Sequence, residues 1–323
     1  MSGSTDGVGV LFASAFMAAV ILPFCWRELR GAWRWWKSRP ARAAHARKWG
    51  EEFAAENPEG PPITPEEHAA FGAWLKDQAR PAARLTPQPG RAEPDGCRLG
   101  GPAWLAEGNE WPRSQQGLPM QFLAQIDFAA LPPIPGFPRE GVVQVFLPTD
   151  DDLFGMHPDD PGLGVGGITV LTRANGAGAL RHENLPDFDW SRQSSSFRSD
   201  ADRIDGVVLI PTPFTAGIDS KQWQAEARLD GPLRREGADK WEDALEAGFT
   251  PDRHVHHVGG YPVFSQYDFR APGKYEDYDT CLLHLTSDDH VQWSDVGDAN
   301  VMIRSEDLAR GDFSRVILWW DCA

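Results

Sequence analysis

The chain has 323 residues, 31 Lys and Arg against 47 Asp and Glu for a net charge of -16, with 41 % hydrophobic and 11 % aromatic residues. That apolar share supports a packed core and excludes global disorder, while the acidic balance repels phosphate backbones and disfavours a nucleic-acid partner. The charge is divided: residues 1–49 hold eight Lys/Arg and two acids, a net of +6, leaving 23 basic and 45 acidic residues, a net of -22, for the remainder.

Val8 to Trp26, VGVLFASAFMAAVILPFCW, contains no charged residue. As a helix it would be roughly 28 Å long, close to the hydrocarbon thickness of a bilayer. A cleavable signal peptide wants a positive start and a small-residue cleavage site; here the start holds only Asp6 and the run ends in Phe24, Cys25 and Trp26. Residues 1–26 are therefore expected to form a single transmembrane helix. Arg27, Arg30, Arg34, Lys37, Arg39, Arg42, Arg47 and Lys48 all follow it. The positive-inside rule then puts the N-terminus out and the large domain in the cytoplasm, on the inner membrane. Within the juxtamembrane segment 27–56 and at its border, Trp26, Arg27, Arg30, Trp33, Arg34, Trp35, Trp36 and Lys37 form an expected membrane-interface set, since indole rings favour the headgroup layer and cations favour anionic lipid. An ordinary stop-transfer flank is the competing reading.

Residues 57–96 are rich in Pro, Ala, Arg and Gly and read as a linker. Inside them TPEEHAAFGAWLKDQARP carries a helix start, with Thr64 as N-cap, Pro65 in the first turn and Glu67 three after the cap. Phe71, Trp74 and Leu75 share one face of that helix. From Cys97 the texture changes. Strands are expected at 122–128, 141–148, within DGVVLIPTPF, at 280–289, 298–304 and 314–322, and ITVLTR after GLGVGG also reads as a strand. Helices are expected at 220–229, 239–248 and after Ser305. Strand clusters with scattered helices imply an α+β domain over 97–323. A faint internal echo, MQFLAQIDF…EGVVQVFLP against TCLLHLTSDD…GDANVMIR, suggests two related β-rich halves.

The stretches LGGPAWL, PMQFLAQIDFAALP, GVVQVFLPTDDDLFG, HHVGGYPVFSQYDFR and VQWSDVGDANVMIRSEDLARGDFSRVILWWDC, in that order, resemble the YwqG-like family, a bacterial domain of unknown function. The resemblance covers roughly residues 97–322 and departs from the family's usual Gly at Ser294. It implies a compact, mostly β, α+β domain of two subdomains, and it implies no settled activity.

HVHHVGGYP is the most reactive-looking segment. In an extended chain His254 and His256 point to one face and His257 to the other. A metal site on His254 and His256 needs a third ligand, for which Asp268 and Asp279 are the nearest acids in sequence; histidines hydrogen-bonded beside a Gly-Gly turn are the default, and no metal or cofactor is called for. The acids of TDDDLFG and SDD lack the spacing of a calcium loop. GLGVGG precedes a strand, whereas a phosphate cradle requires a helix. Gln125, Asp127 and Gln144 are polar residues in apolar strands, either lining a pocket or alternating outward. Cys25, Cys97, Cys281 and Cys322 form no C-x-x-C pair, which gives little support to a disulfide or zinc framework.

The function expected is that of a membrane-tethered, non-enzymatic interaction module, immunity-type in one version, binding a protein or small ligand. The candidate contact residues are Gln125, Asp127, His256, His257, Tyr261 and Gln266. A small-ligand domain built on Gln125, Asp127 and the histidine segment is the first alternative, and a metal-dependent hydrolase around His254 and His256 the second.

Overall fold

The computed structural model describes residues 64–90, 93–176, 181–183, 188–189, 193–218, 221–225 and 254–322. The expected transmembrane helix, the juxtamembrane segment and the helix at 239–248 lie outside the described residues, as does half of that at 220–229. Among the described residues no helix is long and apolar enough to cross a membrane.

Helix α1 (Pro65–Asp77) forms where the Thr64-Pro65 start predicts it; Trp74 is half-buried, while the side chains of Phe71 and Leu75 lie outside the described set. Then come β1 (Arg80–Gln88), β2 (Arg98–Leu99), β3 (Ala103–Leu105), β4 (Gln121–Asp127), β5 (Val142–Leu147), β6 (Thr169–Arg173), β7 (Arg181–Glu183), α2 (Asp200–Asp205), β8 (Val207–Ala216), β9 (His257–Gly259), β10 (Thr280–Thr286), β11 (Asp298–Ile303), α3 (Ser305–Arg310) and β12 (Ile317–Asp321). The protein is β-rich with few helices. Ten strands join one antiparallel sheet, curled into a half-barrel, in the order β12-β11-β10-β9-β1-β8-β2-β4-β5-β6; β3 and β7 pair separately.

The linker expected over 57–96 is corrected by this order. β1 pairs along its whole length with β8 and through Ala82–Arg84 with β9, at the centre of the sheet. Its two prolines, with Pro211 and Pro213 of β8, argue against a central strand by the usual rule. They are tolerated because β9 and β2 are so short. Pro81 and Pro87 fall outside the stretch of β1 that β9 covers, and Pro211 and Pro213 outside the stretch of β8 that β2 covers, so each proline has one edge-like side.

The internal echo is real and larger than the sequence shows. The residues Val208, Arg98, Gln125, Gln144 and Leu171 lie side by side across β8-β2-β4-β5-β6. Arg84, His257, His284, Asn300 and Trp319 do so across β1-β9-β10-β11-β12. Both hairpins carry a bulge at the matching place, between Phe122 and Ala124 and between Cys281 and Leu283, which turns two successive residues to the same face. The halves are not separate sheets, because their first strands are exchanged. β1 precedes β2 in sequence yet pairs with β9, and β8 precedes β9 yet pairs with β2.

One face of the sheet carries the main core, with Leu85, Leu99, Ile126, Val143, Val145, Leu209, Val258, Leu283, Val301 and Leu318. The opposite face carries a smaller cluster in each half: Met120, Phe122 and Phe146 in one, Cys281, Met302 and Trp319 with Phe264 and Phe269 in the other. Alternation along each strand makes this division. It also explains why, in DGVVLIPTPF, Val208 is half-buried and Ile210 exposed while Val207 and Leu209 take the core positions.

Candidate functional site

The sharpest sequence signal lies where β2 and β9 end. RLGGPAW and HVGGYPV are equivalent, each carrying two glycines of positive φ at or just past the end of a short strand (55° and 76° at Gly100 and Gly101, 75° and 69° at Gly259 and Gly260). Left-handed backbone favours glycine, and space demands it as well. A Cβ on Gly260 would meet the Ala216 Cβ at 2.5 Å, and one on Gly100 would run into the Asp202 carbonyl. The glycines turn the chain off the sheet and back over its second face, where main-chain groups meet a buried polar row.

In the first half that row is Arg98, Gln125 and Gln144. The Arg98 guanidinium donates to the Glu93 carbonyl at 3.1 Å and to Gln125 Oε1 at 3.1 Å. Gln125 Nε2 donates to the carbonyls of Pro94 and Gly96 at 2.9 and 2.8 Å, and Gln144 Nε2 to Gln125 Oε1 at 2.9 Å and the Trp104 carbonyl at 3.3 Å. Arg173 adds donors to Trp104, Pro94 and Asp95. Burial, and then the neighbouring Arg173, pulls Arg98 down to about 10, which leaves it charged at neutral pH. This network straps residues 93–96 onto the sheet.

In the second half the row is His257, His284 and Asn300. His257 Nδ1 lies 3.0 Å from the Val255 carbonyl and its Nε2 2.9 Å from that of Tyr261. Asn300 exchanges two bonds with the backbone of Val263 at 3.0 and 2.7 Å, as Gln144 bonds the equivalent Trp104. Asp298 is fully buried beside His284.

Most of the residues singled out in the sequence are thus held inside the fold, and those on β4 lie apart from the histidine segment. Gln125 sits in the first row; Asp127 Oδ1 accepts from the Ala129 N–H and from Asn175 Nδ2 at 2.9 and 2.6 Å. Three strands, β1, β8 and β2, separate β4 from β9, so Gln125 and Asp127 share no row with the histidine segment. His256 is buried, accepting from the Thr286 N–H through Nδ1 and meeting Asp288 Oδ2 through Nε2 at 3.1 Å. Tyr261 is buried with the Arg80 guanidinium 4.2 Å above its ring. Of the candidate contact residues, Gln266 alone is exposed, and its amide donates to the Cys322 carbonyl at 2.7 Å.

His254 and His256 do not converge either: His254 faces Asp298 and His256 faces Asp288. Asp268 is taken by Arg270 in a buried two-point ion pair. Asp279 receives the Ser305 N–H and hydroxyl at 2.8 and 2.9 Å, and so caps α3 in place of the expected Ser305. Among the described residues no group of three or more His, Cys, Asp or Glu is placed to hold a metal ion.

An open cleft of about 200 Å³ lies at the end of β5. The turn 113–116, the TDDDLFG segment and the GLGVGG segment wall it, and Arg113, Ser114, Asp150, Asp151, His157 and Thr169 offer polar groups to it. Asp151 Oδ1 is engaged with the Leu153 N–H at 2.7 Å, and Asp160 caps the 3₁₀ turn Pro161–Gly164. The sequence predicts a strand-end turn for the first segment and a glycine-rich lead into a strand for the second. That is where they stand, and the cleft arises only because the fold brings them together with residues 113–116.

Residues 97–322 match the family described as a domain of unknown function (DUF1963), and the chain belongs to that family. No curated protein matches it.

Proposed function

We propose that this member of the DUF1963 family is a membrane-tethered interaction module whose acidic body captures a basic protein partner, its cleft taking a Lys or Arg side chain beside Asp150 and Asp151. The observation that carries this reading is the partition of charge, +6 over residues 1–49 against -22 over the rest, together with two carboxylates at the mouth of an open polar cleft. Electrostatic complementarity of this kind speeds capture and rejects acidic competitors. The uncharged run to Trp26 supplies the anchor, the Trp- and Arg-rich flank rests on the inner leaflet, and the body faces the cytoplasm. The stretches that resemble the YwqG-like family support reading this domain as YwqG-like, and the immunity-type role is the version that best suits an acidic body.

A small polar ligand in the same cleft is the second reading, favoured by the concave, polar lining. Affinity capture of the tagged full-length chain from detergent extracts, with mass spectrometry of proteins and small molecules, separates the two. The proposal predicts a basic protein that is lost when Asp150 and Asp151 are replaced by Asn and is displaced by salt. A small molecule alone, lost with the same replacements, supports the second reading. A reporter fused to the C-terminus that is active only outside the cytoplasm would reverse the orientation.

A further inference from the structure

Asn300 fixes a proton in the second polar row. Its Oδ1 accepts from the Val263 N–H and its Nδ2 donates to the Val263 carbonyl, so the amide cannot be turned over. His284 Nδ1, 3.1 Å from that Oδ1, must therefore be the donor. In a neutral ring this leaves His284 Nε2 as a lone pair, aimed at Asp298 Oδ1 only 3.5 Å away, and both side chains have zero exposure. Among the described residues neither atom has another hydrogen-bond partner. His257, whose ring centroid is 4.5 Å from that of His284, has the matching shortage: both its nitrogens face carbonyls, and a neutral ring can donate to only one.

We propose that His257, His284 and Asp298 form a buried proton-holding site, in which one proton beyond the two neutral imidazoles is shared by the rings and balanced by the carboxylate. Burial pushes both rings down, and with the neighbouring His257 it pulls His284 to about 3. Against this, leaving Asp298 ionised with a lone pair facing it costs more than a neutral, hydrogen-bonded ion pair, and the geometry sets that contact above the cost of burial. The close rings limit the site to one proton. Equivalence of the halves supports this, because the place of His257 is filled in the other half by Arg98, a permanent cation that also donates to a main-chain carbonyl. Around the site stand His254 and His256 from the approach to β9, Arg84 from β1, and Asp321 from β12; Asp298 Oδ2 also accepts from the Ser265 hydroxyl at 3.0 Å. The shared proton thereby ties Val255, Tyr261 and Ser265 to the sheet. A site that binds its proton more tightly than a free histidine stabilises the fold fully below about pH 6.5 and loses that contribution as the pH rises through its own folded value.

The test is long-range ¹⁵N–¹H spectroscopy of the ¹⁵N-histidine-labelled full-length protein in micelles from pH 5.5 to 9, with rings assigned through His257→Gln and His284→Gln. At pH 7.5 the proposal expects His284 protonated at Nδ1 and one of the two rings protonated on both nitrogens. In Asp298→Asn the midpoint of that second proton falls by ~1 pH unit or more. Two singly protonated rings across the whole range in the parent protein would overturn it, and that spectrum decides the matter even if the variant fails to fold. An unchanged midpoint in a folded Asp298→Asn protein would overturn it as well.

Discussion

Gln125 of β4 and His284 of β10 occupy the same place in the two halves of the sheet, each following a bulge and each bonded to a polar residue on the next strand, Gln144 at 2.9 Å and Asn300 at 3.1 Å. Their strand registers correspond while their chemistry differs, an amide beside a fixed cation in one half and an imidazole beside a carboxylate in the other. Burying these polar groups is tolerable only because main-chain carbonyls meet them. Gln125→Leu removes the donor to Pro94 and Gly96 and leaves Arg98 short of an acceptor. Chemical denaturation should show a loss of about 2–3 kcal/mol, together with faster proteolysis at residues 93–96.

Ser294 stands where the resembled family has Gly, and its φ is 48°. The turn is nevertheless closed, with the Gly297 N–H bonded to the Trp293 carbonyl at 2.9 Å. The cost of left-handed backbone in a residue with a Cβ is about 1 kcal/mol. Ser294→Gly should therefore raise stability by ~0.5–1 kcal/mol, read as a higher denaturant midpoint at constant slope. A lower midpoint would mean that the Ser294 side chain makes a stabilising contact outweighing the strain.

Asp288 links the histidine segment to the β10–β11 turn. Burial works to raise its pKa, but His256 and the N–H groups of Val291 and His290 prevail and hold it at about 2. Because its folded pKa lies below the unfolded one, its contribution is complete above about pH 4 and disappears as the pH falls toward 2. Asp288→Asn should cost about 1 kcal/mol at pH 7 after allowance for solvent screening, and its stability should match that of the parent near pH 2. Melting curves across that range check both limits.

Cys97 and Cys281 are buried, and burial pushes both thiols up to about 12. Native protein treated with iodoacetamide at pH 8 should leave both unmodified while Cys322, half-exposed, reacts. Peptide mapping after denaturation should find both alkylated only then.

Much of the fold was legible because apolar runs such as FLAQIDF, GVVQVFLP and ANVMIR fill strands buried on both faces, and those signals survive in sequence. β1 was not, since RPAARLTPQ has two prolines, two arginines and little apolar mass, and its place depends on the shortness of a strand far along the chain. The candidate site was legible only in part. HVHHVGGYP reads as the most reactive-looking segment, but pairing decides that the His257 ring packs against that of His284, 4.5 Å between centroids, and not beside His254. The equivalence of RLGG and HVGG was available to a search for repeats of four residues, yet its meaning needed the exchanged strands. Arg98, Arg173 and Asp298 gave no local sign, because long charged side chains normally face water.

The account rests most heavily on the exchange of first strands, which makes the two halves one cooperative body beginning at β1 rather than at the family boundary near Cys97. The direct measurement compares thermal and denaturant unfolding of chains starting at Thr64 and at Cys97, both ending at Ala323. The longer chain should unfold in one transition. The shorter should lack a cooperative transition, because the slot between β9 and β8 is empty, and should recover one when a peptide spanning residues 79–90 is added. A chain starting at Cys97 that unfolds cooperatively at the same midpoint, with no response to the peptide, would contradict the exchange and return residues 80–88 to a linker.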